Sequence, residues 1–358
     1  MGIRYDKDQR RPTNGPLIFF SDGSSEAAFS EEIRGAIITG LSFYGYRAPR
    51  SSMISFGSSE GYLEGIGMPG FVIGMFDPDK PYITIPFKAL KSANLQSLYN
   101  MPSQSTSYES YCKEVESIIS ALNNKNHAKV VAARVIKREE SLDLAETFFD
   151  FCHRFPESYI FCFYTPATGC WIGASPELLL ESNGNVLNTM ALAGTRLKET
   201  EKPWDDKNIE EQKIVEDYIC ETFSTTGLYP TIGEKYSKPT GKIEHICTPI
   251  SAKIDEDNCF DLEKLLKKLS PTPALCGYPK EFALRMIRSF EAFDRGCYGG
   301  FCGPFSSNNN FCFNVVLRCA SVTDHSYLIY TGGGVTAWSN VNSEWEETEI
   351  KAHNTFNK

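Results

Sequence analysis

Apolar positions along the chain follow two periods, and the switches between them mark out strands and helices. From residue 17 to about 98, short apolar runs (17–20, 70–75, 82–87) alternate with Gly, Pro, Ser and Asp clusters, which predicts strands joined by turns. At Tyr111, Val115, Ile118, Ile119 and Leu122 the spacing becomes that of a helix with one buried face, ending in the polar run 123–126. Residues 129–136 read as a strand apolar on both faces, with Lys129 at its head on the side of Val131, Ala133 and Val135. A second helix is predicted over 142–151, and a meander begins at 159–164.

The meander leads into C-W-I-G-A-S-P-E-L-L-L-E-S-N-G-N-V-L-N-T-M-A-L-A-G-T-R, residues 170–196. Apolar runs flank Gly173-Ala174-Ser175-Pro176-Glu177 and another follows the Asn183-Gly184 turn signal, predicting antiparallel strands joined by tight turns. Downstream, a helix with Ile214, Val215, Tyr218 and Ile219 on its buried face carries Glu211 on the same side. Strand returns over 241–254. Helices follow around Leu262, Leu265, Leu266 and Leu269, and from Pro279 onward, the latter burying Phe282, Met286 and Phe290. Two strands, 311–322 and 327–335 with a turn at Asp324-His325, precede a final helix from near Ser343. Strands in antiparallel runs with helices grouped between them predict an α+β fold.

Composition narrows the class of function. The chain of 358 residues is 41% hydrophobic and 23% charged, an ordinary globular balance. No apolar run approaches membrane-spanning length and the N-terminus lacks a signal peptide's apolar core, so a cytoplasmic protein with no membrane partner is expected. Gly2 is no myristoylation site, because Asp6 stands where Ser or Thr is needed. The net charge of −9 with no basic cluster argues against nucleic acid. Twelve cysteines without a C-x-x-C pair, mostly inside apolar runs, read as reduced core residues. Residues 1–16 are polar and expected to be loosely held. Nothing demands a partner subunit, so a monomer is expected.

Candidate chemistry sits in a few places. Glu177, beside a proline in an apolar sheet, is a carboxyl whose desolvation would raise its pKa and suit it to giving up a proton; an edge-strand glutamate facing water is the plain alternative. In the last helix Glu344, Glu347 and Lys351 share a face, which by spacing alone is a solvated ion-pair face. Just upstream, Gly332-Gly333-Gly334 in a strand signals a close approach to the backbone, although bulges use glycines too. Dinucleotide, P-loop and nucleophile-elbow motifs are absent, and the five histidines lack zinc spacing. His245 could face a site or be a satisfied core histidine. Lys129, Glu177, Glu211, Arg318, Glu344, Glu347 and Lys351 together could serve a small anionic substrate and Mg2+, which prefers carboxylate and water oxygens. Spacing does not decide whether they converge.

Five motifs in order, Gly173-Ala174-Ser175-Pro176-Glu177, Ala191-Leu192-Ala193-Gly194-Thr195-Arg196, Pro271-Thr272-Pro273-Ala274, Asp294-Arg295-Gly296-x-Tyr298-x-Gly300 and Glu344-Trp345-x-Glu347-Thr348, resemble those of the chorismate-utilising enzymes. The resemblance covers roughly residue 105 to the end. It implies one large α+β domain over 17–358, two packed antiparallel sheets with helices outside and the site between them. It implies isomerisation of chorismate to isochorismate, with Lys129 as general base on water and Glu177 as general acid on the departing hydroxyl. Glu211 and Glu347 would hold Mg2+, with Glu344 supporting it. Tyr298, Arg318 and backbone at Gly334 would hold the side-chain carboxylate, Gly194 would belong to the floor beneath the ring, Thr195 and His245 would also bind substrate, and Lys351 would lie near the ring carboxylate.

Two positions depart from the family pattern, Ser270 and Gln212, where histidine is usual. Lys129 separates the chain from amine-transferring members, which usually carry Gln there. Members that go on to expel pyruvate and yield salicylate share that lysine, so this second step stays open. A catalytically silent chorismate-binding protein would lack Lys129, Glu177 or a metal glutamate, and all are present.

Overall fold

The computed structural model describes residues 4–5, 12–13, 17–19, 23–88, 97–123, 128–198, 203–240, 243–254 and 260–356. Among them the chain builds two large antiparallel sheets and seven helices: α1 (Gly23–Ile38), α2 (Tyr108–Leu122), α3 (Leu144–Arg154), α4 (Asp206–Thr225), α5 (Leu262–Leu269), α6 (Lys280–Phe290) and α7 (Val341–Phe356).

The first sheet runs, in spatial order, Gly277–Tyr278, Lys129–Arg138, Tyr327–Val335, Cys319–Val322, Gly169–Ser175, Tyr159–Thr165, Ser42–Arg47, Met53–Ser59, Leu17–Phe19. The second runs Pro230–Ile232, Ile243–Lys253, Val186–Leu197, Leu178–Asn183, Asn310–Val315, Phe301–Ser307, Gly70–Gly74, Ile83–Pro86, Leu63–Glu64, with Tyr236–Thr240 also paired to Ile243–Lys253. One continuous apolar core joins their facing sides, with Phe161, Phe163 and Trp171 from the first sheet among Phe71, Leu180 and Phe313 from the second. The other face of the first sheet is covered by α1 and α3 through Phe29, Ile33, Phe148 and Phe149, and by α2 and α6 through Tyr111, Val115, Leu284 and Ile287. Burial of such aromatic and aliphatic side chains, at about 1.5–3 kcal/mol each, is what holds the layers together.

The chain crosses between the sheets twice at one place. It leaves the first sheet at Ser175 and enters the second at Leu178, then leaves the second at Val315 and re-enters the first at Cys319. The Val315 N–H donates to the Glu177 carbonyl at 3.0 Å and the Ala174 N–H to the Arg318 carbonyl at 3.2 Å, so the two crossings lie side by side. Arg318 turns the second corner with φ +48°, a left-handed conformation costly for any residue with a Cβ.

These crossings correct the sequence reading. Gly169–Ser175 and Leu178–Asn183 are not a hairpin but belong to different sheets, and residues 311–322 are two strands, not one. The hydrophobic pattern continues through both corners because each is buried between the layers. The N-terminal third is not all strand, since α1 occupies Gly23–Ile38 with Phe29, Ile33 and Ala36 buried at helical spacing. In α6 the buried face is Ala283, Leu284 and Ile287, one position on from the predicted one, and Phe290 is exposed. Strand Phe301–Ser307, with a proline and a glycine inside it, was not anticipated. Of residues 1–16 only the backbone pair Arg4–Tyr5 with Pro12–Thr13 is described, so the expectation of a loose N-terminus lies largely outside the described residues.

Candidate active site

A cleft opens where the sheets are crossed, lined by Glu177, Gly194, Thr195, Glu211, His245, Tyr298, Arg318, Gly332, Glu347 and Lys351 among others. Ten residues singled out from sequence thus meet at one place. Lys129 reaches the same cleft through Glu211, while Gly334 and Glu344 stand behind its wall.

Lys129 is 1% exposed at the head of its strand, opposite Tyr278 on one side, with Gly334 diagonal to it on the other. Its Nζ donates to Glu211 Oε1 at 2.5 Å, tying the strand to α4. Burial alone would raise the Glu211 carboxyl, but Lys129, with Lys351 and Lys207 further off, holds it below the ordinary range. The glycine tract makes room for this. A Cβ on Gly334 would lie 2.8 Å from Lys129 Cε, one on Gly332 3.0 Å from the Tyr298 hydroxyl, and one on Gly333 2.9 Å from Glu344 Oε2. Each glycine is therefore a slot for a site side chain, which is the close approach that its sequence signalled.

Glu177 is 3% exposed, held in the crossing between the sheets. Thr272 Oγ1 donates to its Oε1 at 3.2 Å. Burial pushes its carboxyl up to about 7, against the Thr272 hydrogen bond and the charges of Lys129 and Lys238. Such a group exchanges its proton near neutral pH.

The cleft floor rests on one bulge. The ladder between Val186–Leu197 and Ile243–Lys253 shifts register between Ala193 and Arg196, with Gly194 at φ +71°. That left-handed turn aims the Gly194 carbonyl at His245 Nδ1, 2.7 Å away, while the Thr195 N–H donates to Asn208 Oδ1 at 3.0 Å. A carbonyl only accepts, so Nδ1 carries the proton and Nε2 is the acceptor for Arg318 Nη2 at 2.7 Å. Burial, with Arg318, drives the imidazole down to about 3, so it stays neutral. Burial also lowers the Arg318 guanidinium to about 10, and no carboxylate pairs with it among the described residues. A cation held only by a neutral imidazole leaves the cleft in want of an anion.

On α7, Lys351 Nζ donates to Glu347 Oε1 at 2.6 Å and to the Gly332 carbonyl at 3.0 Å. Glu344 is 1% exposed; Lys207 reaches its Oε1 at 3.4 Å, and its Oε2 makes no hydrogen bond among the described residues. Burial pushes this carboxyl up. Among the described residues no three His, Cys, Asp or Glu side chains already surround a common point. The physical reason is that Glu211 and Glu347 each turn to a lysine. The unpartnered Glu344 oxygen beside Gly333 is the acceptor that a hard cation would satisfy, so the residues present fit such an ion.

Sequence reasoning missed three contributors. Thr272 lay within a quoted motif without a role, and Lys207 and Lys238 carry no local signal, since each sits in a polar stretch. The two departures lie away from the cleft lining. Gln212 is buried between Thr248, Glu216 and Lys235, and the Ser270 carbonyl accepts from Lys280 at 2.7 Å.

No helix among the described residues is long and apolar enough to cross a membrane. The isochorismate synthase EntC of Escherichia coli (strain K12) is 30% identical over 216 residues, 56% of this chain and 54% of that protein, so the match spans about half that relative's length. The isochorismate synthase MenF of Pasteurella multocida is 28% identical over 365 residues, 94% of this chain and 82% of that one. The solved structure of MenF, the menaquinone-specific isochorismate synthase from Escherichia coli, superposes with a TM-score of 0.72 at 20% identity over 88% of this chain and 87% of that one, a likeness of fold. The family model described as chorismate binding enzyme matches residues 85–357, a span that takes in every lining residue named above, and by that match the chain belongs to the chorismate binding enzyme family.

Proposed function

We propose that the chain is an isochorismate synthase, an isomerase that interconverts chorismate and isochorismate with Mg2+. The observation that carries this reading is the meeting, at one cleft, of the buried Lys129 amine with the buried Glu177 carboxyl held near neutrality. A buried lysine and a buried glutamate of exchangeable proton are the two groups that a hydroxyl shift requires.

In the forward direction the Lys129 ammonium that holds Glu211 first gives up a proton to solvent; as the neutral amine it then takes a proton from water as the water oxygen bonds to one ring carbon. Glu177 gives its proton to the hydroxyl leaving another ring carbon, which departs as water. Lys129 ends as ammonium and Glu177 as carboxylate, so charge balances, and the reverse reaction exchanges their roles. Arg318, fixed by His245, supplies a two-point fork for a substrate carboxylate, and Tyr298 lines the same cleft. Gly194 and Thr195 form the floor and Lys351 faces the second carboxylate. Glu211 and Glu347, with Glu344 behind them, would hold Mg2+, which when bound supplies positive charge for the ring carboxylate.

Incubating the chain with chorismate and Mg2+ and identifying the products tests the reading. Isochorismate supports it. Salicylate with pyruvate would mean that a second, eliminating step follows, and an unchanged substrate would refute it.

A further inference from the structure

Glu177 is anchored by a residue that its chemistry does not obviously require. Lys238, on the strand Tyr236–Thr240 opposite His245, is half-buried, and its Nζ donates to the Pro176 carbonyl at 2.7 Å and reaches Met190 Sδ at 3.5 Å. Among the described residues no carboxylate lies within ion-pair distance of it. Burial lowers its ammonium, and a methionine would fill the space beside Met190 without that desolvation.

The location of the carbonyl explains the lysine. Pro176 has no N–H and lies in the crossing between the sheets, where the Glu177 carbonyl accepts from the Val315 N–H at 3.0 Å and the Glu177 N–H donates to Ser175 Oγ at 3.3 Å, but neither bond engages the Pro176 carbonyl. Its carbonyl is the backbone group immediately before Glu177. We propose that Lys238 is the positioning residue of the acid half of the site: it pins the Pro176 carbonyl so that Glu177 faces the cleft. Its charge also opposes the burial that raises the Glu177 carboxyl. The groups facing Glu177 are Thr272, Lys129, Lys238, Tyr298 and Cys247. Of the two cations, Lys129 is engaged by Glu211 and Lys238 is not. The role rests on the isochorismate reading for its effect on rate, but its effect on the Glu177 proton stands independently.

The test uses the whole chain and the variants Lys238→Met, Lys238→Gln and Lys238→Arg. Rates with chorismate and Mg2+ are followed against pH, and the Glu177 carboxyl is titrated directly by ¹³C NMR of labelled glutamate, assigned with Glu177→Gln. In Lys238→Met the Glu177 titration and the alkaline limb should both move up by about one pH unit, and kcat should fall about 10- to 100-fold with KM nearly unchanged. Lys238→Gln keeps a donor for Pro176 without the charge, so the limb should move while kcat recovers in part. Lys238→Arg should restore the limb. If Lys238→Met does not fold, Lys238→Gln carries the test. A Glu177 titration unmoved in the folded neutral variant overturns the proposal. A wild type that leaves chorismate unchanged overturns the isochorismate reading instead, and the carboxyl titration then decides the role of Lys238 alone.

Discussion

Lys129 Nζ and Glu211 Oε1 are 2.5 Å apart, a bond that joins the strand Lys129–Arg138 to α4 and closes one wall of the cleft. Lys129→Ala should lose at least about 10²-fold in kcat with the fold intact by circular dichroism, since general base catalysis typically contributes about 10²–10⁴-fold. Near-normal turnover would remove Lys129 from the chemistry.

Glu211→Ala leaves the Lys129 charge without its partner. Because Glu211 retains 23% side-chain exposure, the cost should be discounted from that of a fully buried pair to about 1–3 kcal/mol, read as a lowered urea midpoint. An unchanged midpoint would mean that Lys129 finds another acceptor.

The Glu177 proton links activity to stability. A free glutamate titrates at about 4.3, whereas burial places Glu177 at about 7 in the folded chain. Its contribution to stability is full below the unfolded value and is lost as pH rises through the folded one, on the order of 3–4 kcal/mol. Glu177→Gln should therefore be inactive yet more stable than wild type at pH 8, and equal to it near pH 4. The wild-type rate should decline as pH rises past about 7, because the acid must be protonated. A variant no more stable at pH 8 would contradict the burial of an ionised Glu177.

How much of this was legible in sequence depended on whether a residue's role was local. Glu177 and the Gly332–Gly334 tract were legible because a desolvated carboxyl beside proline and glycines inside a strand are local anomalies. The crossings were not, since a buried corner keeps the alternation of a strand, and neither hydrophobicity nor a turn dipeptide marks Arg318. Lys238 was invisible for another reason: its partner, the Pro176 carbonyl, is 62 positions away and only the pairing of the second sheet brings them together. The chain's α+β class and its two packed sheets followed from strand grouping and resemblance, while α1 was hidden among strand-like runs.

Arg318→Lys should raise KM for chorismate about 10-fold or more, because a point charge cannot reproduce the planar fork that His245 orients. His245→Asp should be worse than His245→Gln, as a carboxylate there would pair with Arg318 and withdraw it from substrate. Equal kinetics in all three would take the Arg318–His245 pair out of the site.

Gly334→Ala places a methyl group 2.8 Å from Lys129 Cε, so the lysine must move. Overpacking of this kind costs about 1–3 kcal/mol, and here kcat should fall with it while chorismate binding changes little. A fully active Gly334→Ala would show that the Lys129 side chain need not occupy that slot.

The most direct measurement is product analysis of the purified chain with chorismate, with Mg2+ and after EDTA treatment, with ammonia present as a competitor for water. Isochorismate should form, the same mixture should be reached from isochorismate, and EDTA should stop both directions until Mg2+ is restored. Anthranilate formed in preference to isochorismate, or chorismate left unconverted under all these conditions, would contradict the assignment of Lys129 and Glu177 as base and acid of a hydroxyl shift.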